Sequence, residues 1–195
     1  MSSLNEIIPA ILPLDEDDLH EKVGILRGIA PLIHLDVLEK EVWDEIEDDF
    51  EAHLMVGDPE AVIGRWIDRG ARRIAVHSLS EEILMHQHLV EIGLAVLIDT
   101  PLEDVFPLIS TVDYLHLMSI DEIGEQGHPF DSRIFDRIRE IKRNFPECII
   151  AVDGGISLDN ADDLLRAGAD RLIVGSDIYE SDDPEEAYEK FVELL

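Results

Sequence analysis

The constraint that most limits this chain is a rhythm. Short runs of β-branched and other apolar residues return eight times, at intervals of roughly 23 residues, and a helical pattern follows almost every one. The runs are Ile7–Leu12, Leu32–Val37, Glu51–Val56, Arg73–His77, Leu94–Ile98, Val112–Met118, Ile149–Asp153 and Arg171–Val174. Apolar runs without strict alternation belong to parallel strands covered on both faces, and eight such strand-helix units close into a barrel. The expected fold is therefore α/β, a single-domain (β/α)8 TIM barrel over residues 1–195. At 195 residues the chain is short for that fold, whose usual range begins near ~200. The shortfall lies in the second βα crossover. Leu38–Phe50 leaves room for one short helix around Val42–Ile46, close to the ~10–12 residue minimum for such a unit.

The other crossovers carry ordinary helix signals. Asp15 can cap a helix bearing Leu19, Val23 and Leu26 on one face, and Pro59 opens a helix running to Gly70. Further helices are expected over Glu81–Ile92, Pro101–Ser110 with Pro107 inside it, Asp131–Asn144, Leu158–Ala167 and Pro184–Leu195. A short extra helix, Ser176–Glu180, follows the last strand.

Charge removes whole classes of partner. Fifteen Lys and Arg against 45 Asp and Glu give a net charge of −30, which repels nucleic acid and anionic membrane surfaces alike. No apolar run approaches ~18 residues and no basic stretch precedes Ile7–Leu14, so the expected location is cytoplasmic. The lone cysteine, Cys148, heads an apolar run and reads as a strand residue.

Two glycine turns mark where an anion can bind. Ile149–Asp153 runs into Gly154, Gly155, Ile156 and Ser157, and Leu172–Val174 runs into Gly175 and Ser176. Backbones without Cβ let several N–H groups converge on one anion in front of a helix N-terminus, and in barrels of this kind the phosphate cup follows strands seven and eight. Polar side chains interrupt the strands near their C-terminal ends: His34 and Asp36, two apart and so on one face, His53, and Asp153. Two imidazoles and two carboxylates converging there suit one divalent transition metal, Zn, Fe, Mn or Co. His77 and His116 also lie on strands and are expected to be structural. Met55 and Met118, near strand ends, can wall a reacting face.

These residues carry a resemblance. Ile8-Pro9-Ala10-Ile11-Leu12, Ile33-His34-Leu35-Asp36-Val37, His53-Leu54-Met55-Val56 with Asp58-Pro59-Glu60, Val152-Asp153-Gly154-Gly155-Ile156, Ala167-Gly168-Ala169-Asp170 and Gly175-Ser176 resemble, in order across the whole chain, the ribulose-phosphate 3-epimerases. The resemblance implies a barrel of the ribulose-phosphate-binding type. It also implies a metal held by His34, Asp36, His53 and Asp153, with Asp36 and Asp153 as acid and base. Phosphate would sit on Gly154, Gly155, Gly175 and the Ser176 amide, beneath a glycine loop at Gly124 and Gly127. The chain departs from the pattern in four places. Ala10 stands where the family has serine, the segment after Val37 is truncated, Glu125 occupies the glycine loop where an apolar aromatic is usual, and the asparagine-proline expected after strand five is missing around Leu97-Ile98-Asp99.

The expected activity is a metal-dependent isomerase of the pentose phosphate pathway, inverting C3 of D-ribulose 5-phosphate to D-xylulose 5-phosphate through an enediolate. Inversion beside a ketone needs a proton removed from one face and returned to the other, which two carboxyl groups supply. The competing readings are an epimerase or lyase acting on another sugar phosphate, and a phosphate-binding barrel that turns nothing over. A Schiff-base lyase needs a lysine at a strand end, whereas Lys22, Lys40, Lys142 and Lys190 fall on expected helices or a helix entry. Ala10 and the altered loop favour the non-catalytic reading; retention of both aspartates and both histidines disfavours it. The expected partners are a phosphorylated ketose and, where a neighbouring copy covers the short crossover, a second subunit of a homo-oligomer.

Overall fold

A computed structural model describes residues 5–120 and 129–195. Eight parallel strands close on themselves in sequence order: β1 (Glu6–Ile11), β2 (Ile33–Val37), β3 (Phe50–Leu54), β4 (Arg73–Val76), β5 (Glu91–Val96), β6 (Tyr114–Met118), β7 (Ile150–Asp153) and β8 (Arg171–Val174). Around them lie α1 (Glu16–Ile25), α2 (Glu60–Asp68), α3 (Glu81–Leu84), α4 (Leu102–Val105), α5 (Arg133–Asn144), α6 (Leu158–Ala167), α7 (Ser176–Tyr179) and α8 (Pro184–Val192). The (β/α)8 barrel expected from the rhythm is the architecture observed. Among the described residues no helix is long and apolar enough to cross a membrane.

Local chemistry sets the helix ends. Asp15 accepts from the Asp18 N–H at 2.9 Å at the start of α1, and Ser157 with Asn160 forms a reciprocal capping box on α6. The outward strand faces pack against the helices in two apolar layers, one beneath α5, α6 and α8, the other beneath α1 and α2.

Three elements differ from the sequence expectation. No helix forms at Val42–Ile46; the segment crosses as a strap without regular secondary structure. Its acidic C-terminal run, Glu47, Asp48 and Asp49, would oppose a helix dipole. A tertiary clamp fixes the strap instead: Trp43 packs edge-on against Trp66 at 5.3 Å, Arg69 lies over both indoles, and Glu41 accepts from Arg69 at 2.7 Å and pairs with Arg65. The helix expected over Glu81–Ile92 stops at Leu84 and tightens into a 3₁₀ turn, so β5 starts at Glu91 rather than Leu94. The helix expected over Pro101–Ser110 likewise becomes α4 and a 3₁₀ turn over Phe106–Thr111, where Pro107 cannot donate to a regular helix.

The barrel interior is unusual for its polarity. Bulky aliphatic side chains normally fill it in layers. Here the N-terminal end holds an ionic plug, in which Arg73 pairs with Glu6 at 2.8 Å and with Glu51 and Glu91 at 3.3 Å. Arg171 meets Glu91 at 3.2 Å and lies over the Tyr114 ring. Gly93 makes room for that ring, since a Cβ there would stand 2.3 Å from Tyr114 Cζ. Ile8, Ala10, Ala75, Ala151 and Ile173 form a thin apolar layer with Tyr114 inside the barrel.

Candidate metal and acid-base site

The C-terminal end of the barrel collects the polar strand residues. The pairing of β2 with β3 sets Asp36 beside His53, and that of β6 with β7 sets Met118 beside Asp153. His34, His53 and His116 are fully buried, and Asp36 and Asp153 are nearly so. His53 Nδ1 lies 3.3 Å from Asp36 Oδ1 and 3.6 Å from Asp153 Oδ2, while His34 Nε2 lies 3.5 Å from Asp36 Oδ1. The four residues singled out from sequence are thus linked in a chain of contacts, His34 to Asp36, Asp36 to His53 and His53 to Asp153.

Their hydrogen bonding divides the two histidines into an occupied side and an empty side. His34 Nδ1 donates to Glu51 Oε1 at 2.7 Å, and His53 Nε2 faces His77 Nε2 at 2.9 Å. The nitrogens turned toward the aspartates, His34 Nε2 and His53 Nδ1, are buried and have no hydrogen-bond partner. Ligands 2.0–2.2 Å from one ion stand about 3.0–3.5 Å from each other, close to the 3.3–3.6 Å of the three contacts given above. Buried lone pairs at that spacing, each held from behind by a second group, fit a divalent ion. Donor atoms of His34, His53, His116 and Asp153 all lie within 4.8 Å of one another.

Burial and neighbours drive the two carboxyls apart. Burial alone would raise Asp36, but the close imidazoles of His34 and His53 hold it well below the usual carboxylate range. Burial and the adjacent Asp36 charge push Asp153 up. Burial opposes charge on His34, yet Asp36 and Glu51 outweigh it and hold that imidazole up at about 10. Burial holds His77 down at about 4 and His116 at about 3, in each case reinforced by a neighbouring histidine.

The glycine turn after β7 needs glycine for two reasons. Gly154 and Gly155 have φ of +104° and +61°, and a Cβ would meet the Ile120 side chain at 2.8 Å in one case and the Phe130 backbone at 3.0 Å in the other. Ser119 pins this turn, its Oγ donating to the carbonyls of Asp153 and Gly154. Gly175 precedes α7, which Ser176 opens. Two amides at the start of α6 are already engaged: Ser157 N–H by Asn160 Oδ1, and Leu158 N–H by Asp177 Oδ2 at 3.3 Å. Met118 is buried at the end of β6, and Met55 is half-buried just past β3. Gly124 and Gly127 lie outside the described residues.

Sequence reasoning missed Glu51 and undervalued His116. Glu51 sits two residues before His53 on the same face of β3, and that spacing was the available signal.

The model of the ribulose-phosphate 3 epimerase family matches residues 6–179. The chain is 30% identical to "Ribulose-phosphate 3-epimerase" of Aquifex aeolicus, over 97% of this chain and 96% of that protein. It is 27% identical to the protein of the same name from Schizosaccharomyces pombe, over 93% and 90%. Among solved structures, 3-hexulose-6-phosphate synthase from Salmonella typhimurium matches at a TM-score of 0.71 and 17% identity, over 97% of this chain and 98% of that one. Thiamine phosphate pyrophosphorylase from Pyrococcus furiosus matches at 0.66 and 19%, over 98% and 95%. These last two are likenesses of fold.

Proposed function

The chain belongs to the ribulose-phosphate 3-epimerase family, and from that premise we propose that it inverts C3 of a ketose phosphate, D-ribulose 5-phosphate to D-xylulose 5-phosphate. The observation that carries this reading is the pair Asp36 and Asp153, two carboxyls within 3.6 Å of the buried His53 Nδ1 whose proton affinities are driven in opposite directions. Asp36 is held ionised while Asp153 takes up a proton more readily, the division of labour that a two-faced proton transfer requires.

Asp36, as carboxylate, takes the C3 proton from one face of the substrate, and Asp153, as acid, returns one from the other. In the reverse direction the roles exchange. His34, Asp36, His53 and Asp153 would hold a divalent transition metal, which would supply positive charge where negative charge develops on the substrate oxygens. Glu51 fixes the His34 ring so that Nε2 faces the site, and His77 does the same for His53 Nδ1. Met55 and Met118 wall the reacting face and limit water.

The phosphate is held by backbone N–H groups of Gly155, Gly175 and Ser176, with Gly154 turning the chain. With the Leu158 amide engaged by Asp177, the cup holds its anion with modest affinity.

The deciding experiment loads purified protein with a single divalent metal, adds D-ribulose 5-phosphate in heavy water, and follows C3 by NMR. Deuterium at C3 together with formation of D-xylulose 5-phosphate supports the reading. Bound metal without exchange would favour a phosphate-binding barrel or a different sugar phosphate.

A further inference from the structure

The interior of the barrel presents one more imidazole to the site. His116 lies on β6 two residues before Met118, is fully buried, and occupies an interior position where a barrel ordinarily carries a branched aliphatic side chain. Its ring sits 4.4 Å from that of His53 and stacks on that of His34 at 5.4 Å, so it forms a floor beneath both histidines. The residues beside it in register on β5 and β7 are Ala95 and Ala151, small enough to let the ring lean toward Asp153. There Nε2 lies 3.0 Å from Asp153 Oδ2 with hydrogen-bond geometry.

The two nitrogens of this ring are not equivalent. Nε2 has Asp153, whereas Nδ1 is buried with no partner. A neutral imidazole carries a single N–H, and burying that N–H without an acceptor is unfavourable. The proton therefore belongs on Nε2, where it has an acceptor. His34 and His53 show the opposite arrangement, with the nitrogen nearest the aspartates left bare.

We propose that His116 is a positioning residue: its Nε2–H donates to Asp153 Oδ2 and fixes the orientation in which that carboxyl meets the substrate. This rests on the epimerase reading for its effect on turnover, but not for the hydrogen bond itself. A carboxyl buried at the end of a strand has several rotamers of similar energy; one directional donor selects among them. His116 touches neither the reacting carbon nor the ion, and acts only through Asp153.

The test has two independent parts. In wild-type protein loaded with zinc, long-range nitrogen-proton NMR of the imidazoles is expected to show His116 as the Nε2–H tautomer, with Nε2 uncoordinated and its signal shifted in Asp153→Asn. A coordinated Nε2 would overturn the proposal and make His116 a metal ligand. The Nδ1–H tautomer would overturn it as well. In kinetics, His116→Leu is expected to lower kcat about 10-fold to 100-fold with little change in KM and zinc affinity within about 3-fold, and His116→Gln, which keeps an N–H donor, to recover much of the loss. An unchanged kcat in His116→Leu would make the residue core filling. Absence of epimerisation by wild-type protein would count against the proposed function alone, since the NMR part still decides the hydrogen bond.

Discussion

Glu51 accepts a hydrogen bond from His34 Nδ1 at 2.7 Å inside the barrel, both side chains being almost wholly buried. The same carboxylate meets Arg73 at 3.3 Å, so it joins His34 to the ionic plug at the other end of the barrel. Removing its charge with Glu51→Gln is expected to weaken metal binding about 10-fold to 100-fold, measured by competition with a chromophoric chelator. Affinity equal to that of the wild type would mean that Glu51 serves the plug and not the site.

Asp153→Asn keeps the shape of the side chain and removes the acid. Deuterium exchange at the substrate carbon should fall below detection while the circular dichroism spectrum is retained. Persistent exchange at the wild-type rate would assign the second proton transfer to another group.

The high proton affinity of His34 has a definite sign in pH experiments. Its folded-state pKa, about 10, lies above the ordinary value of 6.5, so protonation of His34 stabilises the metal-free fold fully below pH 6.5. That contribution fades as pH rises toward 10. An ion bound at Nε2 must displace this proton, so apparent metal affinity should climb with pH over the same interval, by up to about tenfold per unit. Titrations of the metal at several pH values check this, and a flat profile between pH 6.5 and 9 would contradict it.

Asp177 places a carboxylate on the Leu158 amide, next to the proposed phosphate cup. Asp177→Asn should tighten binding of inorganic phosphate by several-fold, measured calorimetrically. Added salt should also tighten binding to the wild-type protein, because it screens a dianion from a field of −30. Phosphate affinity that dropped steeply with salt would show that cationic side chains, not backbone amides, hold the anion.

Gly93 offers a test away from the site. Gly93→Ala would press a methyl group into the Tyr114 ring, and a loss of roughly 1–3 kcal/mol in denaturant unfolding is expected. Pairing it with Tyr114→Phe should not restore stability, because the clash is with the ring and not with the hydroxyl.

Most of the architecture was legible because it rests on period. Eight apolar runs and the helical patterns between them leave few alternatives to a closed parallel barrel, and His34 and Asp36, two apart, had to share a face. The less legible parts were those where tertiary partners overrule local pattern. Glu91 opens β5 because its carboxylate is claimed by Arg73 and Arg171, so a charged residue that reads as helix or loop begins a strand. Val42–Ile46 stays non-helical because Trp43 finds Trp66 and Arg69, residues more than twenty positions away. Glu51 and His116 were harder to assign for a related reason. Each stands out in its own strand, by spacing or by polarity, but its part in the site depends on a group on another strand.

The helix-free strap between β2 and β3 bears on the order in which this molecule opens. Those two strands carry His34, Asp36 and His53, while Asp153 stands on β7 across the barrel mouth. The wall that bears three of the four proposed ligands is thus the one whose own crossover carries no helix, so that its outer cover comes from α1 and α2 and from the Trp43 clamp. Local opening should begin there, and amide hydrogens of β2 and β3 should exchange sooner than those of β7, which α5 and α6 shield. An ion bound between the two sides would act as a clasp across the mouth. Loading it should slow exchange most in the strands that contribute least cover of their own, so that occupancy of the site and rigidity of its weakest wall become one equilibrium.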